Sequence, residues 1–541
     1  MYDYIIIGAG SAGCVLAHRL TEDPQVRVLL IEAGGKDTKP EIRIPAAFSK
    51  LFKTRYDWNY STPPQPHAGG RSLYLPRGRV LGGCSSINAM IYIRGHRLDY
   101  DAWAAAGNKG WSYADVLPYF CKSEDQLRGS DAWHGAGGPQ VISDLQEPFP
   151  VTRAFVEAGR ELGYPVNPDF NGAGQEGFGI YQVTQRDGRR MSTAEAFLKP
   201  ILHRPNLTVQ TDTLVQRIVV ENRRAVGIEY RTPTHIQEIR ARREVILAAG
   251  AYNSPQLLML SGIGPAEELR RHGIAVKHDL PGVGQHLLDH LIVPMVFHNR
   301  DKHTLDEATR WYHLANYYIW AEGPLSSNVA EGGAFIRTRE ELAAPDIQFH
   351  FAPGYFLNHG FDNPGKGHGL SMGPTLLQPR SVGSVRLASA RPEDAPVIDH
   401  RYLEAQEDVD TLVAGMKVGY QLIDTRALRA YFAGFYYPRK RLRSDAELAE
   451  HVRMSAQTLY HPVGTCRMGQ DERAVVDEQL RVRGIEGLRI VDASVMPAIV
   501  RGNTHAPVMM IAEKAAAMIR LRIEATRNDR IAVPLAQASD N

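Results

Sequence analysis

The sequence predicts an α/β protein with two domains, on three observations. An apolar strand, YDYIII, runs into GAGSAG and then into a helix-like apolar pattern that ends near Leu20. A second apolar strand, VRVLLI, ends on Glu32, and the block from about residue 297 to 454 instead has period-two apolar spacing, as in DIQFHFAP. Strand, helix and strand in this order predict a parallel Rossmann-like sheet. The alternating block predicts an inserted domain built on an antiparallel sheet with helices.

The first loop has the spacing of a dinucleotide-binding fingerprint. Gly8 permits the tight turn after the strand, Gly10 lets backbone N–H groups approach a pyrophosphate, and Gly13 lets the helix pack closely on the sheet. Glu32 is then placed to accept the ribose hydroxyls and to repel a 2′-phosphate, which argues against NADP. The same spacing also occurs in Gly-rich turns without a ligand, but the flanking strand, helix and acid favour the dinucleotide site.

Composition and charge exclude several classes of protein. The 541 residues carry 62 Lys plus Arg and 60 Asp plus Glu, so a net charge of +2 gives no reason to expect a nucleic acid partner. The four cysteines form no C-x-x-C pair or zinc-like group, so we expect reduced thiols and no metal. We expect no signal peptide and no membrane-spanning helix. The predicted location is the cytoplasm, with peripheral contact with the inner membrane left open.

A second run of small residues lies in GRVLGGCSSIN, residues 78–88. Its backbone N–H groups and hydroxyls suit a second phosphate or ring contact, because small residues let backbone donors come close. A tight turn without a ligand is the alternative.

These two motifs, together with GAYNSPQLLMLSGIG at residues 250–264, resemble the glucose-methanol-choline (GMC) oxidoreductase family. The similarity extends from Tyr2 to about Arg520, and choline dehydrogenase-like and bacterial aliphatic alcohol dehydrogenases are the most alike. The resemblance implies FAD, rather than NAD, as the dinucleotide. Relatives with covalently attached flavin have His where this chain has Ile87, so the resemblance implies that FAD binds non-covalently.

The next stretches predict further elements of the first domain. A helix is expected to begin at an N-cap Ser192 or Thr193. Two alternating strands follow in NLTVQTDTLVQRIVVENRRAVGIEYRT, with a turn at Asn222, and predict an antiparallel hairpin. The resemblance places the backbone of Val215 beside the adenine. REVILAAG then predicts a central parallel strand over residues 245–247 that ends against the dinucleotide.

Two C-terminal stretches, HPVGTC and NTHAP, carry the predicted chemistry. A lone His in a loop is usually structural, but the resemblance assigns His461 as the active-site base and Asn503 as its partner. Between them a strand is expected to end on Asp492, and a helix is expected to open at Ala506. His505 is either a second titrating group near the flavin or a helix cap.

The inserted domain contains one further candidate. Glu331 falls where choline-processing relatives carry an acid near the substrate, and an acid in a surface turn is the alternative reading. The predicted boundaries assign residues 1–145, 192–296 and 455–530 to the FAD-binding domain and residues 146–191 and 297–454 to the substrate domain.

Motifs and resemblance together predict a set of residues that contact the cofactor. They are Gly8, Gly10, Ser11, Ala12, Gly13, Glu32, Ala33, Arg79, Gly82, Gly83, Ser86, Asn88, Ala89, Val215, Ala249, Asp492, Ala493 and His505.

The predicted function is FAD-dependent oxidation of a primary alcohol to an aldehyde, with electrons passed to a quinone-type acceptor. His461 would accept the hydroxyl proton and Asn503 would hydrogen-bond the developing alkoxide. An oxygen-using alcohol oxidase and an FAD-containing hydroxynitrile lyase are alternatives within the family. A flavin-carrying regulatory protein without turnover is a further alternative, but it would not need a base opposite the flavin.

Overall fold

The computed structural model describes residues 1–232 and 235–532. Two large sheets organise this part of the chain, each with its own hydrophobic core. The first core contains Ile5, Leu30 and Ile246 from the first sheet, and the second contains Phe297, Phe349 and Leu370 from the second sheet. This arrangement confirms the predicted α/β fold with a second, antiparallel sheet.

The first sheet has seven strands and is parallel at its centre. In spatial order they are Leu207–Gln210, Val28–Ile31, Tyr2–Ile7, Ile236–Leu247, Arg224–Arg231 and Leu214–Glu221, with Leu488–Ile490 also beside Ile236–Leu247.

The strand Ile236–Leu247 belongs to both the antiparallel and the parallel part of this sheet. Its first half pairs antiparallel with Arg224–Arg231, and its second half runs parallel to Tyr2–Ile7 and Leu488–Ile490. The predicted strand over residues 245–247 is therefore the buried end of a much longer strand. All four parallel strands around it end at the same edge, which is where α/β sheets bind ligands.

The structure confirms the turn of the predicted hairpin, but the first predicted strand belongs to it only in part. Asn222 and Arg223 both have positive φ, 47° and 59°, as in the two-residue turns that match strand twist. The stretch before the turn is not one strand: Leu207–Gln210 joins the parallel edge, and only Leu214–Glu221 belongs to the hairpin. The chain changes partner between them at Asp212, which has a φ of 54°.

The second sheet has eight strands, all antiparallel. They are Phe432–Tyr437, Met295–Asn299, Gly369–Leu376, Ile347–Ala352, Gly332–Ile336 and Gly177–Ile180 in order. Leu291–Ile292 also pairs with Gly369–Leu376, and Gln457–Thr458 pairs with Leu291–Ile292. These last two strands lie outside the predicted substrate segments, and the exact domain boundaries stay a prediction.

Helices cover both sheets. The α-helices of six or more residues are Ser11–Leu20, Arg97–Ala105, Tyr113–Ser123, Pro150–Glu161, Gly250–Leu260, Ala266–Arg271, Trp311–Trp320, Gln406–Asp424, Asp445–Ser455 and His505–Ala532. Short strand pairs occur at Tyr60–Ser61 with Tyr74–Leu75, Glu124–Gln126 with Gln140–Ile142, Gln185–Arg186 with Arg189–Arg190, Ile263–Gly264 with His278–Asp279, and Ser384–Arg386 with Val397–Asp399.

Two helix starts differ slightly from the prediction. Ser192 Oγ accepts a hydrogen bond from Glu195 N at 3.3 Å, but the segment that follows is a short π-helix, Ala194–Leu198. The C-terminal helix begins at His505, one residue before the predicted start. It packs against the helix Ser11–Leu20, where Glu513 forms an ion pair with Arg19 at 2.8 Å. Among the described residues, no helix has both the length and the apolarity to cross a membrane.

Candidate active site

A long cavity joins the carboxyl edge of the first sheet to the second sheet. Fourteen of the predicted cofactor residues line it, together with the predicted catalytic pair, His461 and Asn503. The fourteen are Gly8, Gly10, Ser11, Ala12, Glu32, Ala33, Gly83, Asn88, Ala89, Val215, Ala249, Asp492, Ala493 and His505.

The glycine loop at one end of the cavity is built as the sequence predicts. Gly8 has a φ of +100°, and a Cβ there would lie 2.5 Å from the carbonyl oxygen of Ala248. A Cβ on Gly13 would lie 1.9 Å from the carbonyl oxygen of Gly8, so this position brings the helix against the sheet. A Cβ on Gly10 would meet no protein atom closer than 3.9 Å, and Gly10 lies on the cavity wall. The helix N-terminus there leaves backbone donors for an anion.

The second small-residue run touches the first. Gly82 N donates to Ala9 O at 2.8 Å, and a Cβ on Gly83 would lie 2.7 Å from Gly10 Cα. Gly82 therefore joins the two loops, whereas Gly83 belongs to the cavity wall. The two loops together form a cradle that larger residues would fill.

Glu32 lies beneath this cradle. Its carboxylate accepts hydrogen bonds from Ala9 N at 2.9 Å and from Gly34 N at 2.8 Å. Burial raises the pKa of Glu32 to about 7, although these two bonds and the charge of Arg79 act in the opposite direction. Glu32 thus organises the loop as well as facing the cavity, and its contact with a ribose stays a prediction.

Four predicted cofactor residues support the site without lining it. Gly13 and Gly82 act through the backbone contacts above. Ser86 Oγ donates to Leu81 O at 2.7 Å within the second loop, and the guanidinium of Arg79 lies 4.8 Å from the centre of the Trp58 ring. Contact between these four residues and the cofactor stays a prediction.

The structure corrects the surface-turn reading of Glu331, whereas its closeness to a substrate stays a prediction. The residue is fully buried, so it is not in a surface turn, and it does not line the cavity. Its carboxylate accepts hydrogen bonds from Phe149 N at 3.0 Å, Thr152 Oγ1 at 2.6 Å and Ser327 Oγ at 2.7 Å. It thereby binds the start of the helix Pro150–Glu161, where a negative charge is favourable.

At the other end of the cavity, His461 and Asn503 are brought together as predicted. His461 Nε2 lies 3.3 Å from Asn503 Nδ2, and the imidazole is buried. The backbone N–H of His461 donates to Asp289 Oδ1 at 2.7 Å, while Asp289 Oδ2 accepts from Thr458 and Tyr402 at 2.6 Å. These bonds fix the loop that carries His461.

The environment of His461 disfavours its charged form. Burial lowers the pKa of His461 well below its usual 6.5, and the neighbouring His290, His350 and Arg77 lower it further. A buried neutral imidazole has an unshared pair available for a proton at neutral pH.

Sequence reasoning missed three polar residues at this end of the site. His290 Nδ1 lies 3.0 Å from His461 Nδ1, and Gln348 Nε2 donates to Asn503 Oδ1 at 3.1 Å. His350 lines the cavity. The alternation in DIQFHFAP places Gln348 and His350 on one face of a strand, which is a usable signal, whereas the DH dipeptide at 289–290 has none.

The cavity contains buried polar atoms that have no hydrogen-bond partner among the described residues. Both ring nitrogens of His505 and Nε2 of His350 are buried and have no hydrogen-bond partner in the structure. Buried polar groups in proteins are normally paired. The glycine cradle at one end and these free nitrogens towards the other fit an elongated ligand with phosphates and a polar ring system. His505 makes no side-chain bond that would support the helix-cap reading.

The remainder of the lining is largely apolar. Only two acids, Glu32 and Asp492, occur among the lining residues. The side of the cavity formed by the second sheet and the loops over it includes Phe48, Phe52, Ile292, Phe356 and Met372. Among the described residues, no group of three His, Cys, Asp or Glu side chains is arranged to hold a metal ion.

Comparison with known proteins extends over nearly the whole chain. Models described as GMC oxidoreductase match residues 2–292 and 379–512. An alcohol dehydrogenase [acceptor] from Pseudomonas putida is 45% identical over 533 residues, which are 97% of this chain and 96% of that protein. Human mitochondrial choline dehydrogenase is 44% identical over 539 residues, which cover 96% of this chain and 90% of that protein. A solved variant of Aspergillus oryzae formate oxidase, described for its FAD modification, superposes with a TM-score of 0.91 at 30% identity over 97% of this chain and 99% of its own.

Proposed function

Since this chain belongs to the GMC oxidoreductase family, we propose that it oxidises a primary alcohol to an aldehyde and passes the electrons to a quinone-type acceptor. Its cofactor is FAD. The observation that carries the proposal is the pair His461 and Asn503, which lies in the same cavity as the glycine cradle.

In the proposed reaction His461 and Asn503 have different roles. The hydroxyl proton of the alcohol passes to Nε2 of His461, and the Asn503 amide donates a hydrogen bond to the oxygen as negative charge develops there. FAD, when bound, supplies the acceptor for the hydride that leaves the alcohol carbon. The N-terminus of the helix His505–Ala532 lies at the cavity, where its partial positive charge favours an anion.

The lining supports an uncharged, apolar alcohol rather than a cationic one. A buried cation is strongly stabilised by a nearby carboxylate. Glu331 lies outside the cavity lining and accepts from Thr152 Oγ1, and the two acids of the lining, Glu32 and Asp492, follow strands of the first sheet at the cofactor end. We therefore propose that medium-length aliphatic or aromatic alcohols are better substrates than choline.

FAD is proposed to bind non-covalently, because Ile87 offers no nucleophile at the position where covalent relatives carry His. Acid precipitation of the purified protein should release the yellow colour into the supernatant. Colour that stays with the pellet would contradict this point.

One experiment tests the main proposal. The absorbance of the purified protein should bleach without oxygen when a primary alcohol is added, faster with 1-octanol or benzyl alcohol than with choline. A flavin spectrum that no alcohol bleaches would favour the hydroxynitrile lyase alternative. If hydrogen peroxide forms in air as fast as a quinone dye is reduced, the protein is an oxidase, as the formate oxidase neighbour is.

A further inference from the structure

We propose that His290 and Gln348 are positioning residues that hold His461 in the tautomer with its proton on Nδ1 and its unshared pair on Nε2. Two series of hydrogen bonds, each ending on a backbone carbonyl, converge on the His461 ring. The inference rests on the proposed role of His461 as the base.

The first series begins at the carbonyl oxygen of Leu377. His290 Nε2 lies 3.1 Å from this oxygen, which can only accept, so the His290 proton is on Nε2. In the neutral ring Nδ1 of His290 is then an acceptor. It lies 3.0 Å from His461 Nδ1, which must therefore be the donor. His290 is fully buried and burial lowers its pKa to about 4, although the carbonyl groups of Leu377 and Val500 act in the opposite direction, so the ring stays neutral.

The second series begins at the carbonyl oxygen of Phe349. Tyr181 OH donates to it at 2.7 Å, so the phenol oxygen is free to accept from Gln348 Nε2 at 2.9 Å. The same Nε2 donates to Asn503 Oδ1 at 3.1 Å. With its oxygen occupied in this way, Asn503 presents its NH₂ group to His461 Nε2 at 3.3 Å. An NH₂ group requires an acceptor, so Nε2 of His461 carries no proton.

Both series of hydrogen bonds therefore assign the same tautomer to the His461 ring. Phe349 and Leu377 are part of, or directly follow, neighbouring strands of the second sheet, Ile347–Ala352 and Gly369–Leu376. The sheet backbone thus defines the protonation of a side chain that lies in a loop. Without His290 the Nδ1–H of His461 would be buried and unpaired, and moving the proton to Nε2 would relieve this at the expense of the base.

The test compares His290→Leu, which removes the acceptor, with His290→Gln. The glutamine oxygen can accept from His461 Nδ1 while its NH₂ group donates to Leu377 O. The FAD-loaded enzymes are labelled with ¹⁵N-histidine, and the His461 signals are identified by their absence in His461→Ala. Nitrogen shifts then report which ring nitrogen carries the proton, and anaerobic reduction by 1-octanol reports the rate.

In the wild type we expect a protonated Nδ1 and an unprotonated Nε2 at neutral pH. His290→Leu should move the proton to Nε2 in part or fully and slow reduction by 10- to 100-fold with little change in KM. His290→Gln should keep the wild-type nitrogen shifts and most of the rate. The proposal is overturned if His461 in the wild type carries its proton on Nε2, or if His290→Leu leaves both shifts and rate unchanged.

Gln348→Leu provides an independent arm in case His290→Leu does not fold. Loss of Gln348 should free the Asn503 amide to turn, and the Nε2 signal should then show partial protonation. An unchanged Nε2 signal would remove Gln348 from the proposal. Because the nitrogen shifts need no turnover, a correct tautomer in an enzyme that oxidises no alcohol would contradict the proposed function and leave this inference standing.

Discussion

His461 is surrounded by groups that keep it neutral, and this sets the pH dependence expected of the reaction. An ordinary His would give a rate that rises through pH 6.5, which is what the sequence alone predicts. Burial, together with the neighbouring His290, His350 and Arg77, lowers the pKa of His461 well below 6.5. The rate of flavin reduction should therefore stay level down to pH 6.5 and fall only in more acidic solution. A half-maximal rate near pH 6.5 would show that the ring titrates normally.

Replacing His461 by Ala should slow flavin reduction by about 10² to 10⁴, the usual worth of a positioned base. FAD should stay bound, because His461 lies at the substrate end of the cavity. His67→Ala is a suitable control, since His67 is exposed in a turn outside the cavity. Stopped-flow reduction under nitrogen measures both variants, and equal rates for the two would contradict the assignment.

Glu32→Gln should weaken FAD binding. The amide nitrogen cannot accept from Ala9 N or Gly34 N, so one buried donor of the cradle loses its partner, at a cost of about 1–3 kcal/mol. This corresponds to a dissociation constant roughly 5- to 150-fold higher, which fluorescence titration of FAD can measure. Glu486→Gln, at an exposed ion pair with Arg224, should have no effect. Equal FAD affinity in the Glu32 variant would exclude Glu32 from the binding site.

Among single residues, the sequence predicted well where a motif fixes backbone geometry. Gly8 and Gly13 have the predicted roles in the turn and in packing, because these roles depend on local spacing. The burial of Glu331 could not be predicted, because its partners, Phe149, Thr152 and Ser327, come from a helix start and a loop whose approach no local pattern encodes. His290 was missed for the same reason, since its role depends on a contact 171 residues away.

At the scale of elements, substitutions at two glycines of the same loop should have different effects, one on stability and the other on FAD binding. Gly13→Ala would place a methyl group 1.9 Å from Gly8 O and push the helix Ser11–Leu20 away from the sheet. Overpacking of this kind costs about 1–3 kcal/mol, so both the thermal midpoint and the FAD content should fall. Gly10→Ala is the matched change, because the nearest protein atom would be 3.9 Å away and φ at Gly10 is −76°.

Gly10→Ala should therefore keep a wild-type circular dichroism spectrum while its FAD content falls, because the methyl group enters the cavity. Absorbance at the flavin band against protein concentration gives the occupancy of each variant. The thermal midpoints are also compared after FAD has been removed from both variants: if Gly10→Ala then lowers the midpoint as much as Gly13→Ala, the assignment of Gly13 to packing and of Gly10 to FAD binding is wrong.

Periodicity in the sequence predicts that a strand exists, but it does not predict which neighbour the strand pairs with. Alternation correctly indicated the hairpin and the strand Ile347–Ala352, because period two is a property of the strand itself. It did not reveal that Leu207–Gln210 leaves the hairpin for the parallel edge, since edge pairing depends on the neighbour, Val28–Ile31. The strands Leu291–Ile292 and Gln457–Thr458 are two residues each and too short for any periodicity.

For the whole molecule, a buried ionic network predicts how stability depends on pH. His134 lies between Glu124 and Asp169, at 3.0 and 2.8 Å, and Arg94 also pairs with Glu124. Burial alone would lower the pKa of His134, but the bonds to Asp169 and Glu124 outweigh it and raise the pKa to about 9. Asp169 belongs to the predicted substrate domain and Glu124 to the FAD-binding domain, so the network joins the two.

A raised pKa of His134 means that its contribution to stability is complete below pH 6.5 and is lost as pH rises through 9. The shift corresponds to about 3 kcal/mol. The free energy of unfolding, from urea titrations, should fall over this range in the wild type. It should fall less in His134→Gln, which has no proton to lose. Parallel pH profiles for the two proteins would contradict the role of His134.

The presence of Tyr2–Ile7 and Leu488–Ile490 in one sheet has a consequence for biosynthesis. The strand Tyr2–Ile7 is made long before Leu488–Ile490 can join its sheet, and the helix Ser11–Leu20 lacks its partner until Glu513 has left the ribosome. The second sheet, complete by Thr458, can form earlier. A nascent chain arrested before residue 488 should therefore hold no FAD, because it lacks both the strand Leu488–Ile490 and the cavity residues Asp492, Asn503 and His505.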